Sequence, residues 1–150
     1  MQIRAALAED LPELAGLLGY LFEQEPEMTV DSQAQLRGLE MILNQPEIGE
    51  LFVADSGDAI LGMVNLLYTV STSLGARVAI LEDVIVAPDG RGRGIGSQLI
   101  QEALRSAEVR GCKRVTLVTD PDNVRAQRLY ESFGFERSAM VGFRKMLGRR

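Results

Sequence analysis

The residues best suited to chemistry follow one another from Glu82 to Ser97, where a β-branched strand leads into a basic glycine loop. Because the glycines leave the backbone uncrowded, successive N–H groups of the loop can turn toward one small acceptor. A helix that begins here directs the positive end of its dipole to the same point, and two arginines add fork-shaped donors for phosphate oxygens. The loop is therefore predicted to bind a pyrophosphate. Its residues are Arg91, Gly92, Arg93, Gly94, Ile95, Gly96 and Ser97.

Two common nucleotide-binding motifs do not match this loop. A P-loop requires a lysine before the Ser or Thr hydroxyl, whereas the residue before Ser97 is Gly96. A dinucleotide fingerprint requires G-x-G-x-x-G and an acidic residue about 20 positions further on, whereas this loop has G-x-G-x-G and the later position is Cys112. The sequence therefore disfavours both nucleotide-binding interpretations.

Length and composition disfavour several other classes of protein. The chain has 150 residues, 46% of them hydrophobic and 25% charged, as expected for one globular domain. The sequence shows neither a membrane-spanning apolar stretch nor a signal-peptide pattern, so we expect a cytoplasmic protein without a membrane partner. One cysteine and no histidine disfavour a disulfide, a zinc site and a His-based triad, and no metal is predicted. The net charge of −5 disfavours nucleic acid and suits a cationic small molecule.

Hydrophobic periodicity and turn signals predict the order β-α-α-β-β-β-α-β-α-β, a mixed α/β fold. Two helices precede a hairpin, and the second helix is predicted to begin with a capping box of Ser32 and Gln35. A third helix follows the glycine loop, and a fourth begins at Asp122 or Asn123 and ends at Gly134. The predicted strands cover residues 3–6, 51–54, 59–70, 78–86, 115–118 and the tail at 135–147.

Two motifs resemble the GNAT superfamily of N-acetyltransferases. One is Arg91-x-x-Gly94-x-Gly96 after a Val-x-Val strand, and the other is Asn123-x-x-Ala126-x-x-Leu129-Tyr130-Glu131-x-Phe133-Gly134-Phe135. Because the first helix and both motifs fall at the intervals of the family, the resemblance covers nearly the whole chain. It implies one N-acetyltransferase domain over residues 1–150. Its α/β fold would have a mixed, mostly antiparallel central sheet, a splay between the fourth and fifth strands, and about four flanking helices.

The resemblance implies acetyl-CoA, or coenzyme A, as the co-substrate. The pantetheine arm would lie in the splay and hydrogen-bond the backbone of Val84, Ile85 and Val86, while the glycine loop would hold the pyrophosphate. These β-branched residues would otherwise form an ordinary buried strand. Asn123, a helix cap on either interpretation, would add a side-chain contact to the coenzyme.

Three side chains are candidates for the acceptor side of the reaction and for proton transfer. In the family a tyrosine at the place of Tyr130 lies near the coenzyme sulfur, and a phenol of pKa ~10 can protonate a departing thiolate of pKa ~8.5. Packing on an apolar helix face would also explain this tyrosine. Glu82 is the candidate general base, because an ammonium group of pKa ~10 must lose a proton before it attacks. Asp83 is a candidate for binding the substrate, and the alternative for both carboxylates is an ion pair with Arg77 or Arg114.

The faces of the central strand depend on its regularity. Strict alternation places Glu82 and Val84 on one face and Leu81, Asp83 and Ile85 on the other. A bulge at the splay would change this assignment. Outside the strand, three glutamates fall where the family has its variable substrate loop, and they are interpreted mainly as a solvated segment. They are Glu23, Glu25 and Glu27.

The sequence thus predicts direct transfer of an acetyl group from acetyl-CoA to a primary amine in a ternary complex. The amine would be a polyamine, an amino sugar, an amino acid, or a lysine or N-terminal amine of a peptide. The alternatives are a non-catalytic acyl-CoA-binding sensor or interaction module and, third, a nucleotide-binding regulator. Dimers are frequent in the family, and residues 138–147 are a candidate for a strand exchanged or paired in a homodimer.

Overall fold

The computed structural model describes residues 1–24 and 31–148. These residues belong to two compact units, Met1–Val118 and a second unit that begins at Thr119. The strands are β1 (Gln2–Ala5), β2 (Gly49–Asp55), β3 (Ile60–Ser71), β4 (Ala76–Val86) and β5 (Val115–Leu117), and the α-helices are α1 (Leu11–Gln24), α2 (Ser32–Leu43), α3 (Ile95–Val109) and α4 (Val124–Ser132). None of the helices in the described ranges is both long and apolar enough to cross a lipid bilayer.

The five strands form one sheet whose spatial order is the chain order, β1-β2-β3-β4-β5. The first four strands pair antiparallel, whereas β4 and β5 pair in parallel. Parallel pairing requires a crossover connection, and α3 supplies it between these two strands. The predicted mixed and mostly antiparallel sheet is therefore confirmed.

The sheet packs against helices on both of its faces. Val53 and Met63, on β2 and β3, belong to one buried cluster with apolar residues of α1 and α2. Gly62, adjacent to Met63, faces α3, and a Cβ at this glycine would lie 3.0 Å from Leu99 and 3.1 Å from Ile95. Ile95 and Leu99 are 1% and 0% exposed. The first turns of α3 are thus fixed against the sheet directly after the glycine loop.

A β-bulge interrupts β4 at Asp83. The pairing register of β3 with β4 shifts between Met63 and Asn65, where a single β3 residue opposes both Asp83 and Val84. Asp83 takes a left-handed backbone conformation with a φ of 55°. Asp adopts this conformation more readily than most residues other than Gly and Asn.

The bulge separates Leu81 and Ile85 onto opposite faces of the sheet. Ile85 pairs with Met63, and both belong to the cluster that packs with α1 and α2. Leu81 pairs with Leu66, which lies on the same face of β3 as Gly62, the face toward α3. The assignment of Leu81 and Ile85 to one face by strict alternation is therefore wrong, and the alternative of a bulge is confirmed, because the extra residue reverses the phase of the strand.

Helix α2 does not begin with the predicted capping box. Asp31 is the N-cap, and its Oδ1 accepts a hydrogen bond from the N–H of Ala34 at 3.1 Å. Ser32 is consequently the first helical residue, and Gln35 is turned inward with an exposed fraction of 8%. The predicted cap is wrong because a carboxylate one residue earlier already serves the helix N-terminus.

The chain from Phe135 to Gly148 forms no strand within the described residues. The strand predicted at 135–147 is therefore wrong. Met140, Val141 and Phe143 are 87%, 77% and 98% exposed. β-Branched and aromatic residues favour a strand only where a neighbouring strand pairs with them, and this segment has no such partner in the described part of the chain.

Candidate active site

The glycine loop between β4 and α3 has the geometry of an anion site. A 3-10 turn, Pro88–Gly90, follows β4, and Gly92 and Gly94 then take φ values of 79° and 75°. Gly94 is the N-cap of α3, so no N-cap side chain engages the N–H groups of the first helical turn. Arg91 and Arg93 are exposed beside it. These N–H groups, the positive helix end and the two guanidinium groups can together bind a phosphate.

Close packing fixes the base of this loop. A Cβ at Gly90 would lie 3.0 Å from Ile95 Cδ1, 3.2 Å from Val86 Cγ1 and 3.3 Å from Leu61 Cβ. The N–H of Ala87 also donates to the carbonyl of Leu61 at 2.8 Å. The loop is therefore held to β3 and α3 at a position where a Cβ would require its neighbours to shift.

Strands β4 and β5 separate after Leu81. The last pair of their ladder is Leu81 opposite Leu117, whereas β4 continues to Val86 and remains paired with β3. No strand in the described ranges pairs with the other edge of residues 84–86. The predicted splay between the fourth and fifth strands is thus confirmed, and it leaves backbone groups of β4 facing the gap.

A cavity of about 300 Å³ lies between α1, α2, β3 and β4. Asp83 reaches it from the bulge, and Asn65 reaches it from β3 and donates its Nδ2 to Asp83 Oδ2 at 3.1 Å. Burial raises the pKa of Asp83, and the hydrogen bond from Asn65 opposes part of that rise. The described residues that line the cavity are Leu18, Asp31, Ala34, Gln35, Gly38, Leu39, Ile42, Asn65 and Asp83.

Two amide side chains in this lining are buried without all their hydrogen bonds. Gln35 is 8% exposed, and neither its Oε1 nor its Nε2 has a hydrogen-bond partner among the described residues. Asn65 is 4% exposed, and its Oδ1 also lacks one there. Buried polar groups are normally paired, because a buried group without a partner costs about 1–3 kcal/mol of folding free energy. These atoms are therefore suited to pair with a ligand in the cavity.

The two adjacent carboxylates of β4 have different surroundings. Asp83 lines the cavity, as suits its predicted role in substrate binding, whereas Glu82 is exposed and is not among the described lining residues. The predicted role of Glu82 as general base stays a prediction. Glu25 and Glu27 of the predicted substrate loop lie outside the described residues.

The second unit contains the other two predicted site residues. Asn123 is the N-cap of α4, and its Oδ1 accepts from the N–H of Ala126 at 3.1 Å. Tyr130 meets Phe135 edge to face, with ring centroids 6.1 Å apart. Burial raises the pKa of Tyr130, so its phenol is protonated throughout the neutral range.

Comparison with known proteins identifies the family of this chain. The model of the acetyltransferase (GNAT) family matches residues 6–135. The chain belongs to the GNAT family. It is therefore an acyltransferase of the N-acetyltransferase type. The uncharacterized N-acetyltransferase YhfO of Bacillus subtilis is 31% identical to this GNAT protein over 139 residues, which cover 91% of this chain and 90% of YhfO.

Solved structures share the GNAT fold of this chain. A putative acetyltransferase from Agrobacterium tumefaciens gives a TM-score of 0.80 at 29% identity and covers 97% of this chain and 99% of its own. An aminoglycoside N-acetyltransferase, AAC(6')-Iy, solved in complex with CoA, gives a TM-score of 0.79 at 26% identity and covers 97% of this chain and 94% of its own. A GNAT structure similar to this chain thus binds CoA.

Gln35 and Asn65 of this GNAT protein were not predicted as site residues from the sequence. A usable signal existed for each, because Gln35 shares an apolar helix face with Leu39 and Ile42 at i+4 and i+7, and Asn65 interrupts the long apolar run of β3. A single amide in a buried element requires a partner. Among the described residues, no group of His, Cys, Asp and Glu side chains could hold a metal ion.

Proposed function

We propose that this GNAT protein transfers the acetyl group of acetyl-CoA directly to a primary amine in a ternary complex. The observation that carries the proposal is the order of three features along one strand and its continuation. Asp83 lines the cavity, residues 84–86 follow at the splay, and the glycine loop at 91–97 comes next. An amine in the cavity and a thioester along the splay would therefore meet at the same point of β4.

The residues at the splay and the loop fit the coenzyme. The pyrophosphate would be held by the first N–H groups of α3 together with Arg91 and Arg93. Amides of the pantetheine arm would hydrogen-bond the backbone of residues 84–86, and Asn123 would add a side-chain contact. When bound, acetyl-CoA supplies a reactive thioester. The CoA complex of an aminoglycoside N-acetyltransferase with a similar fold supports coenzyme A as the ligand.

Asp83 and Glu82 are proposed to manage the charge of the acceptor. An amine of pKa ~10 arrives as an ammonium ion and must lose a proton before it attacks. The half-buried carboxylate of Asp83 would attract the ammonium ion, and its raised pKa makes it a better proton acceptor than an exposed aspartate. Glu82, one residue earlier, remains the candidate for the final proton acceptor. Separate Asp83→Asn and Glu82→Gln variants distinguish the two roles.

Tyr130 is proposed as the acid that protonates the departing thiolate. Its raised pKa keeps the phenol in the donating form at neutral pH. The N–H groups near Val84 and Val86 would hydrogen-bond the thioester oxygen as negative charge develops on it. Positioned backbone donors, proximity and proton transfer would then accomplish the reaction without a covalent enzyme intermediate.

Release of the coenzyme A thiol from acetyl-CoA, measured over a panel of amines, tests this proposal. We expect turnover with one class of amine and a rate about 10²–10⁴-fold lower in Tyr130→Phe. Tyr20→Phe, the same substitution at a side chain of α1 that is 43% exposed, is the matched control and should retain the rate. An undiminished rate in Tyr130→Phe would remove the tyrosine from the mechanism.

The thermal stability of the protein in the presence of acetyl-CoA gives an independent measurement. Stabilisation by acetyl-CoA without turnover on any amine would favour a non-catalytic acyl-CoA sensor. The absence of stabilisation would mean that the glycine loop does not bind the coenzyme.

A further inference from the structure

The cavity beside Asp83 offers more hydrogen-bond acceptors than donors. The amide atoms without a partner among the described residues are Oε1 and Nε2 of Gln35 and Oδ1 of Asn65, and of these only Nε2 donates. Carboxylates of Asp31 and Asp83 add further acceptors to the lining. A ligand that satisfies these groups must bring several donors and also one acceptor for Gln35 Nε2.

The charge of the lining limits the ligand further. The described lining residues include Asp31 and Asp83 and no Lys or Arg. A phosphate or carboxylate on the ligand would face these carboxylates without a compensating cation, which costs affinity. A protonated amine would be attracted to Asp83, whose Oδ2 is held in place by the hydrogen bond from Asn65.

We propose that the acceptor is a small primary amine that carries neutral hydroxyl groups, an amino alcohol or an amino sugar without phosphate or carboxylate. This inference rests on the proposed function and names its substrate class. A hydroxyl group can accept from Gln35 Nε2 and donate to Gln35 Oε1 or Asn65 Oδ1, so it meets both requirements with one group. An alkyl polyamine supplies donors only and leaves Gln35 Nε2 unpaired. Gln35 and Asn65 are thus specificity-determining residues.

The size and the apolar wall of the cavity agree with this class. Its volume of about 300 Å³ is at the lower end of the roughly 300–1,000 Å³ that small-molecule pockets span. Leu18, Leu39 and Ile42 form an apolar part of the lining that would contact the C–H groups of a short polyol or of one sugar ring. A larger amine would have to extend beyond the cavity.

Matched pairs of amines test the inference. The wild-type protein should show kcat/KM roughly 5- to 150-fold higher for 3-amino-1,2-propanediol than for propylamine, the range expected when a buried donor loses its partner. It should also prefer glucosamine to glucosamine 6-phosphate. Equal kcat/KM for the diol amine and propylamine, or a preference for the phosphorylated sugar, would overturn the proposal.

Gln35→Leu links any preference to the cavity. This variant removes both amide atoms at nearly constant volume, so the ratio of kcat/KM for the hydroxylated amine to kcat/KM for propylamine should fall toward 1. Gln33→Leu, the same substitution at an exposed position of α2, should keep the wild-type preference. Each variant is described by the ratio of its kcat/KM values for the two amines. Intrinsic differences in amine reactivity are therefore the same in every variant and cancel when the ratios are compared. An unchanged preference in Gln35→Leu, confirmed with Gln35→Met, would exclude Gln35 as the determinant.

The two proposals fail in different ways. If propylamine and the diol amine are acetylated equally well, the substrate class is wrong and acetyl transfer stands. If no amine releases the coenzyme A thiol, the proposal of acetyl transfer is wrong. Calorimetric binding of the same two amines then tests whether the cavity binds hydroxylated amines. Tighter binding of the diol amine to the wild type, lost in Gln35→Leu, supports the hydroxyl-binding cavity, and equal binding overturns it.

Discussion

Asn65 donates its side-chain amide to Asp83 at 3.1 Å, and the bond spans β3 and β4 at the position where a bulge gives Asp83 a φ of 55°. The bond holds the carboxylate toward the cavity, while burial raises its pKa. A carboxylate that is charged in such surroundings opposes folding. The position is therefore better suited to binding a cation than to stabilising the protein.

Asp83→Asn should lower activity and retain or raise stability. Because the pKa of Asp83 is raised above its ordinary value of 3.8 in the folded state, its protonated form adds stability below pH 3.8. This stability is lost as the pH rises through the raised pKa. At pH 7 the charged carboxylate therefore lowers the free energy of unfolding, and a neutral Asn side chain does not. Asn also tolerates the left-handed backbone. We expect an equal or higher Tm together with kcat/KM about 10²–10⁴-fold lower. Thermal melts and thiol release check this, and a lower Tm with full activity would contradict it.

Gly94→Ala should weaken both the fold and coenzyme binding. Gly94 has a φ of 75° at the N-terminus of α3, where a Cβ costs about 1–2 kcal/mol of unfolding free energy. Gly19→Ala in α1 is the matched control, since a Cβ there would meet no atom within 4 Å and should stabilise the helix by about 0.5–1 kcal/mol. Urea unfolding and titration with CoA measure the two effects. Equal unfolding free energies for the two variants would contradict the left-handed backbone conformation at Gly94.

Asp10→Asn should destabilise the protein at neutral pH by about 1–3 kcal/mol. Asp10 is 7% exposed and accepts from Arg4 at 2.7 and 3.0 Å and from the N–H of Leu7 at 2.7 Å. The Arg4 guanidinium holds the pKa of Asp10 below its ordinary 3.8, so this stability is present above pH 3.8 and lost as the pH falls through the lowered pKa. The difference between wild type and variant should therefore shrink in acid unfolding curves.

Glu102→Gln is the control for the Asp10 substitution. Glu102 pairs with Arg105, whose side chain is 64% exposed, and such surface pairs contribute up to about 1 kcal/mol. A larger loss in Glu102→Gln than in Asp10→Asn would contradict the assignment of the Arg4 network as the stronger one.

Local chemistry made the segment from β4 to α3 predictable. Glycines, arginines and a helical apolar stripe specify a turn and a helix start through interactions within about one turn of the chain, and Gly94 and Ile95 take the positions they predict. Apolar runs on either side of a turn likewise predicted the strands of the hairpin. These features depend on neighbours in sequence.

Other features depend on contacts that sequence spacing does not contain. The bulge at Asp83 arises from the register between two strands, so alternation along β4 alone assigned Ile85 to the wrong face. Gln35 had the spacing of a capping box, and only the packing of α2 against the sheet turns it inward. Strand-forming residues such as Val141 and Phe143 remain exposed, because propensity does not supply a pairing partner.

The bulge has a consequence for how this chain can change over evolution. It acts as a one-residue offset between two halves of β4, so that an insertion or deletion of one residue between Leu81 and Ile85 would exchange the two faces of the rest of the strand. Ile85 would then leave the cluster that packs with α1 and α2, and the approach to the glycine loop would shift with it. New acceptor preferences can therefore arise here by substitution at residue 83 or along α2, whereas the length of this part of β4 is constrained.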